Sequence, residues 1–373
     1  MTIFSFVAAL LMVEQLPTIE IVAQYEGVDG GHYTDFDDDG DVDFIIVSEE
    51  GCSVSIFLQT APFKWEQDVI AEGLLGPEDA VTADFDGDGD LDIAVVNDEQ
   101  ETPNCELGGM ISILWNDGGQ WTPQTLFLGQ GAVNVAAFDV DNDGDEDAII
   151  SDKEGGVYRL FLNPGDRAAA WQMKAVETDI SVAGAYEVLP YDMDGDGDLD
   201  IVGTARFSGK VFWLENDSTG ADFWPGHEIG DAPDPNHLFI TDLDGDGKIE
   251  ILYSAWGGES GYFSQGQKSW EKTVIHRHAK MVGIAAADVE NDGQFSIYSM
   301  QYLPTENAVL FEHKRTKDGK YSERILAEGF AQTDELWPLS INGGLYLFGT
   351  SNHHARVGSG KFFRIDISST TEK

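Results

Sequence analysis

The chain has 373 residues, with 68 Asp and Glu against 21 Lys and Arg, giving a formal charge of −47 at pH 7. That surplus repels phosphate backbones, which excludes nucleic acid as a partner and favours cations. Hydrophobic residues at 42% and aromatics at 11% suffice for a packed core, so the acidity does not mark a disordered chain, and 42 glycines indicate many turns.

The apolar run from Ile3 to Val13 (IFSFVAALLMV) has the length of a secretory signal core and is too short to span a bilayer. No Lys or Arg precedes it and no small-x-small site precedes Leu16-Pro17, so residues 1–17 read either as a signal peptide or as an unstructured leader. No other segment has the length and apolarity of a membrane span. Residues 18–373 read as one domain.

A nine-residue loop, D-x-D-x-D-G-D-x-D with an apolar run directly behind it, recurs along the chain. The first copy carries Asp35, Asp37, Asp39, Asp41 and Asp43; the second Asp84, Asp86, Asp88, Asp90 and Asp92. The third carries Asp139, Asp141, Asp143, Asp145 and Asp147; the fourth Asp192, Asp194, Asp196, Asp198 and Asp200. The fifth reads Asp242, Asp244, Asp246, Lys248 and Glu250, and the sixth is reduced to Asp288, Glu290 and Asp292, with Gln294 and Ser296 closing it. First aspartates are 49, 55, 53, 50 and 46 residues apart, a period of propeller-blade size.

Calcium takes six to eight hard oxygens, and loops of this kind supply them from positions 1, 3 and 5, the backbone carbonyl of 7 and a later carboxylate, with Gly at 6 for the turn. Lys248 and Gln294 at position 7 obey that logic, because only their carbonyls would bind. Ser296 at position 9 breaks it. About five calcium sites and a weak sixth are expected. The segment behind each loop is no EF-hand helix: Phe44-Ile45-Ile46-Val47 and Ile93-Ala94-Val95-Val96 are short and β-branched, as buried strands are.

Each unit then shows a third strand, such as Val54–Leu58, Ile111–Trp115 or Val211–Glu215, and a more amphipathic fourth, which makes a four-stranded blade. On these loops and strands the chain resembles the FG-GAP/VCBS repeat family of β-propellers, known from integrin α-subunits, over roughly residues 26 to 330. The resemblance implies an all-β propeller with calcium in the loops between first and second strands. It implies no single activity, since the family includes adhesion modules, lectin-like binders and lyase or dehydratase propellers.

Residues 334–367 add Leu336–Ile341, Leu345–Gly349 and Lys361–Ile367 without an aspartate loop, and Thr18–Tyr25 precedes the first repeat without a blade of its own. Pairing the two ends completes a seventh blade and removes exposed sheet edges, so seven blades are preferred over six or eight.

The first-to-second-strand loops share one face, so a ligand site is expected on the other, whose loops are longer and more varied. Five places before each first aspartate stand Gly30, Asp79, Asn134, Glu187, His237 and Gly283, with Glu335 as the counterpart in blade seven and His32 slightly deeper. This polar ring reads either as a ligand funnel or as the wall of a hydrated channel. The same face carries Arg206, Arg277, His278, Lys280, His353, His354 and Arg356 beside Trp256 and Tyr302, which would suit an acidic oligosaccharide. Scattered surface charge is the alternative. These features together read as a monomeric, secreted or cell-surface propeller binding a carbohydrate or a protein. The competing reading is a carbohydrate-active enzyme of lyase or dehydratase type, with His237 or His353 as base and Arg206 or Arg356 neutralising a uronic carboxylate. In a hydrolytic variant Asp79 and Glu187 would form the carboxylate pair.

Cys52 and Cys105 fall on one face of adjacent blades. They read either as a disulfide, in keeping with an oxidising compartment, or as two free thiols.

Overall fold

The computed structural model describes residues 17–25, 27–98, 105, 109–129, 131–277, 280–302, 308–330, 335–351 and 360–368. His278, His353, His354 and Arg356, residues 1–16 and most of the loop 99–108 lie outside these.

The apolar run behind each acidic loop is a second strand. In blades one to five these strands (Asp43–Ser48, Asp92–Asn97, Asp147–Asp152, Asp200–Ala205 and Glu250–Ala255) are buried along their whole length. Continuous burial on both faces is why they lack polar alternation. Fourth strands such as Lys64–Glu72 and Trp121–Phe127 lie at the rim and alternate with charge and exposure.

The strands form seven antiparallel four-stranded sheets. Six are consecutive in sequence, running from Val28–Thr34 to Lys64–Glu72, Pro77–Ala83 to Trp121–Phe127, Ala132–Phe138 to Gln172–Ala175, Ala185–Tyr191 to Gly226–Asp231, Pro235–Thr241 to Trp270–His276, and Met281–Ala287 to Tyr321–Phe330. The seventh takes Leu336–Ile341, Gly344–Ser351 and Gly360–Asp366 from one end of the chain and Ile19–Tyr25 from the other. The terminal strands pair in register Ile19↔Ile365 through Tyr25↔Gly360.

Among the described residues, apolar side chains gather into seven clusters, one at each junction between neighbouring blades. The junction of blades seven and one is aromatic: Phe44 lies 4.7 Å from Phe362 and 4.9 Å from Phe348, ring centre to ring centre. Each such ring, fully buried, contributes roughly 1.5–3 kcal/mol. The result is a seven-bladed, all-β propeller, as the repeat period and the surplus strands predict.

In blades one to six the pairing of first and second strand slips near the start of the first strand, at Val28/Gly31, Pro77/Asp79, Ala132/Asn134, Ala185/Val188, Pro235/Leu238 and Met281/Ile284. Bulges of this kind re-aim side chains. Here they fall on the polar ring residues.

Candidate metal loops and ligand-binding face

The acidic loops share one backbone design. Position 1 accepts N–H groups from positions 5 and 6: Asp35 from Asp39 and Gly40 at 3.0 and 2.9 Å, Asp84 from Asp88 and Gly89 at 3.1 and 3.0 Å. Positions 4 and 6 both have positive φ in all six loops, including Asp38 (58°), Asn142 (61°) and Asn291 (51°) at position 4. Asp, Asn and Gly are the residues that tolerate this region. Position 9 is a clasp: Asp92 accepts from Phe85 N at 3.2 Å and from Asn116 N at 2.7 Å, tying the loop to the end of the third strand. Asp43, Asp147 and Asp200 make the same two bonds. Glu250 makes the first of them, to Leu243 N.

These residues fit a hard divalent cation. One carboxylate oxygen from each of Asp35, Asp37 and Asp39 lies within 4.8 Å of the others, and the same holds for Asp84, Asp86 and Asp92 and for Asp139, Asp141 and Asp147. At position 3 of loops three and five, Asp141 Oδ1 and Asp244 Oδ1 are buried oxygens with no hydrogen-bond partner, the orphaned acceptor that a cation would satisfy. The position 7 side chain can turn elsewhere, since Asp90 Oδ2 accepts from Gly118 N at 2.8 Å. Burial pushes the carboxyls of Asp92 and Asp147 up to about 7 and that of Asp200 to about 6. Loops five and six carry counter-charges that sequence reading missed: Arg315 sits 2.9 Å from Asp244 and Lys314 3.2 Å from Glu290.

The opposite face holds the ring. Asn134 Nδ2 donates to Asp79 Oδ2 at 2.8 Å, and Asn134 Oδ1 accepts from Val188 N at 2.8 Å, so blades two, three and four are linked in turn. Glu187 Oε2 and His237 Nδ1 are 3.0 Å apart and link blades four and five. Asp79 is buried, and burial, then the charges of Glu335 and Glu187, raise its carboxyl well above the ordinary range. Burial also drives the imidazole of His32 down to about 4. Glu187, His237 and Glu335, with Tyr33, Tyr191 and Trp337, line a cavity of about 370 Å³.

Trp256 and Tyr302 stand instead at the ends of the second strands of blades five and six, stacked on one another with centroids 5.4 Å apart. Arg206 lies over Trp256 at 4.5 Å and over Tyr186 at 5.0 Å, and its guanidinium bonds both oxygens of Asp234 at 2.7 and 3.2 Å. Lys280 lies 4.0 Å from the Trp256 ring. Tyr186 also meets the His237 ring edge-on at 5.8 Å, which joins this cluster to the wall of the cavity. Arg277 is held by Glu259 at 2.7 Å.

A second register underlies the cluster. Fourteen residues after the first loop aspartate stand Glu49, Asp98, Lys153, Arg206, Trp256 and Tyr302, and eight residues before it stand Gly27, Gly76, Gly131, Gly184, Asp234 and Lys280. All six of the latter have positive φ, and in five blades their carbonyl accepts the backbone N–H of the former, as in Trp256 N to Asp234 O at 2.9 Å. Glycine fills this left-handed position except in blades five and six. There Asp234 (57°), of a residue type that tolerates this region, and Lys280 (29°), for which the conformation costs about 1–3 kcal/mol, stand beside Arg206 and Trp256. The sequence reading missed Tyr186 and Asp234; alignment on the loop aspartates, extended eight residues upstream, exposes Asp234 as a departure from glycine.

Cys52 and Cys105 form a disulfide with Cα atoms 5.5 Å apart, tying blade one to blade two. No helix among the described residues is long and apolar enough to cross a membrane.

The family model of the FG-GAP-like repeat matches residues 35–95 and 192–253, which take in the first and second and the fourth and fifth acidic loops with the strands between them. No curated protein matches the chain in sequence. Among solved structures, BBS1N in complex with ARL6DN, in a mercury-soaked crystal, is similar with a TM-score of 0.57 and 9% identity, over 96% of this chain and 98% of that one. Its lead-soaked crystal gives 0.54 at 10% identity over the same shares. A functionally unknown protein from Desulfotomaculum acetoxidans DSM 771 gives 0.51 at 12% identity, over 81% of this chain and 86% of that one. At these identities the likeness is one of fold alone.

Proposed function

Because this chain is a seven-bladed propeller built on FG-GAP-like repeats, we propose that it is a calcium-stabilised, extracellular, monomeric binding module. Its ligand is an acidic carbohydrate, taken on the face opposite the acidic loops. The observation that carries this reading is the cluster of Tyr186, Arg206, Trp256, Lys280 and Tyr302, whose Tyr186 touches His237 of the cavity wall. Aromatic faces suit the apolar sides of sugar rings, and an ammonium held against them suits a carboxylate or sulfate. Two of these residues sit on or beside strained backbone, which a purely structural loop would have relieved with glycine, as four blades do. The disulfide and the acidic loops support an oxidising, calcium-rich setting.

Isothermal titration with uronate-bearing or sulfated oligosaccharides tests the reading. Trp256→Ala and Lys280→Ala should each weaken binding about tenfold or more, roughly 1.4 kcal/mol. Unaltered binding by both variants, or binding by proteins alone in a mixed glycan and protein array, would overturn it.

One observation favours catalysis as a second reading. The Glu187 carboxylate orients His237 Nδ1, the arrangement of an imidazole base, at the cavity wall. In that case unsaturated uronide ends should accumulate with the wild type and vanish with His237→Ala, while ligand affinity persists.

A further inference from the structure

Blades five and six meet at a cluster unrelated to the acidic loops or the cavity. His276 ends the fourth strand of blade five, His313 lies in the third strand of blade six, and Glu323 is its cross-strand partner in the fourth. Both imidazoles are fully buried, while Glu323 is 38% exposed. The Glu323 carboxylate contacts His276 Nδ1 directly and lies 3.9 Å from His313 Nδ1. One donor atom from each of the three lies within 4.8 Å of the others.

We propose that His276, His313 and Glu323 form a binding site for a zinc-class transition-metal ion that staples blade five to blade six. Two imidazole nitrogens and one carboxylate oxygen are borderline donors that select zinc, nickel, copper or cobalt over calcium or magnesium. Donors held about 2.0–2.2 Å from one ion stand roughly 3–4 Å apart, so small side-chain shifts complete the set. A second feature points the same way. Ser299 Oγ lies 2.8 Å from His313 Nε2, and when Nε2–H donates to it the Nδ1 lone pair is turned toward Glu323. Bonding of the distal nitrogen to an outer partner is how ligating histidines are oriented. Phe311 packs against His276 with centroids 4.6 Å apart, closing the inner side, so the ion enters past Glu323 and keeps its remaining position for water on that side. Strand alternation leaves the neighbouring charges out of the site, since Arg324 faces Glu312, its cross-strand partner, on the other side of the sheet. Binding replaces the hydrogen bond between Glu323 and His276 Nδ1 with two bonds to the ion, and a neutral His276 then carries its proton on Nε2.

The test uses the full chain, calcium-saturated so that the acidic loops do not compete, and Zn²⁺ and Co²⁺ as probes. Wild type should bind one equivalent of Zn²⁺ at this site, with Co²⁺ giving the absorption of a nitrogen- and oxygen-ligated ion. Glu323→Gln, at the exposed edge, and His313→Gln should each lose that equivalent, and Ser299→Ala should weaken it about 10–100-fold. His227→Gln, on the outer edge of blade four, should change nothing. Zinc stoichiometry that is zero in wild type, or unchanged in Glu323→Gln, would overturn the proposal; should His313→Gln fail to fold, Glu323→Gln alone decides.

Discussion

Asp79 Oδ2 accepts hydrogen bonds from Asn134 Nδ2 at 2.8 Å and from Val135 N at 3.1 Å, so a carboxyl of blade two is held by the first strand of blade three. Asp79 Oδ1 accepts from Ala80 N at 2.8 Å. In this part of the ring the polar side chains join blades to one another. Asp79→Ala would strand two buried N–H groups and should cost about 2–4 kcal/mol. Asp79→Asn, which keeps the size and sheds the repulsion of Glu335 and Glu187, should cost less. Denaturant midpoints equal to wild type for both variants would refute the clasp. The same arrangement argues against Asp79 and Glu187 as a hydrolytic pair.

Removal of divalent ions should destabilise the protein in a pH-dependent way. The folded-state carboxyls of Asp92 and Asp147, near 7, and of Asp200, near 6, lie above the free value of 3.8. Their contribution to stability is therefore full below about pH 4 and lost as pH rises through 6 to 7. In chelator the melting temperature should fall from pH 5 to pH 8. Millimolar calcium, which replaces the proton as counter-charge, should abolish that fall. Melting temperatures that match at pH 8 with and without chelator would remove calcium from the loops.

The left-handed backbone at Lys280 yields a trade-off. Lys280→Gly should raise stability by about 1 kcal/mol by relieving the strain, and lower ligand affinity by removing the ammonium. A melt shifted upward together with weakened binding is the expected pair. A destabilised variant would mean that the contact with Trp256 outweighs the strain.

The bridge between Cys52 and Cys105 closes 53 residues of chain. Its removal in Cys52→Ser/Cys105→Ser should cost about 2–4 kcal/mol. Alkylation without reductant should leave the intact mass unchanged; two added labels would contradict the bridge.

The architecture was legible because six copies of one loop carry their own physics: Asp at position 1 folds the loop back on itself, and Gly40 and its equivalents allow the turn. Strand number came from the apolar runs, and the seventh blade from strands left over at both ends. The ring residues lie five places before Asp84 and its equivalents. The count could not say that bulges would turn Asp79 and Asn134 toward each other. Arg206, Trp256 and Tyr302 stand out by residue type, yet they are equivalent positions whose identities never repeat, so periodicity hides them. His276 and His313 stand 37 residues apart on different blades, and only the packing of one sheet on the next brings their rings to 5.3 Å.

The strand Ile19–Tyr25 is made early and its partner, Gly360–Asp366, more than three hundred residues later. During synthesis the first strand must wait on the ribosome's output while blades one to six assemble beside it, an unpaired edge in an unfinished arc. The Cys52–Cys105 bond needs no such wait, since only 53 residues separate the two sulfurs. Closure of the ring is thus timed by the strand Gly360–Asp366, and a chain halted before residue 360 leaves Ile19–Tyr25 available to any other strand it meets.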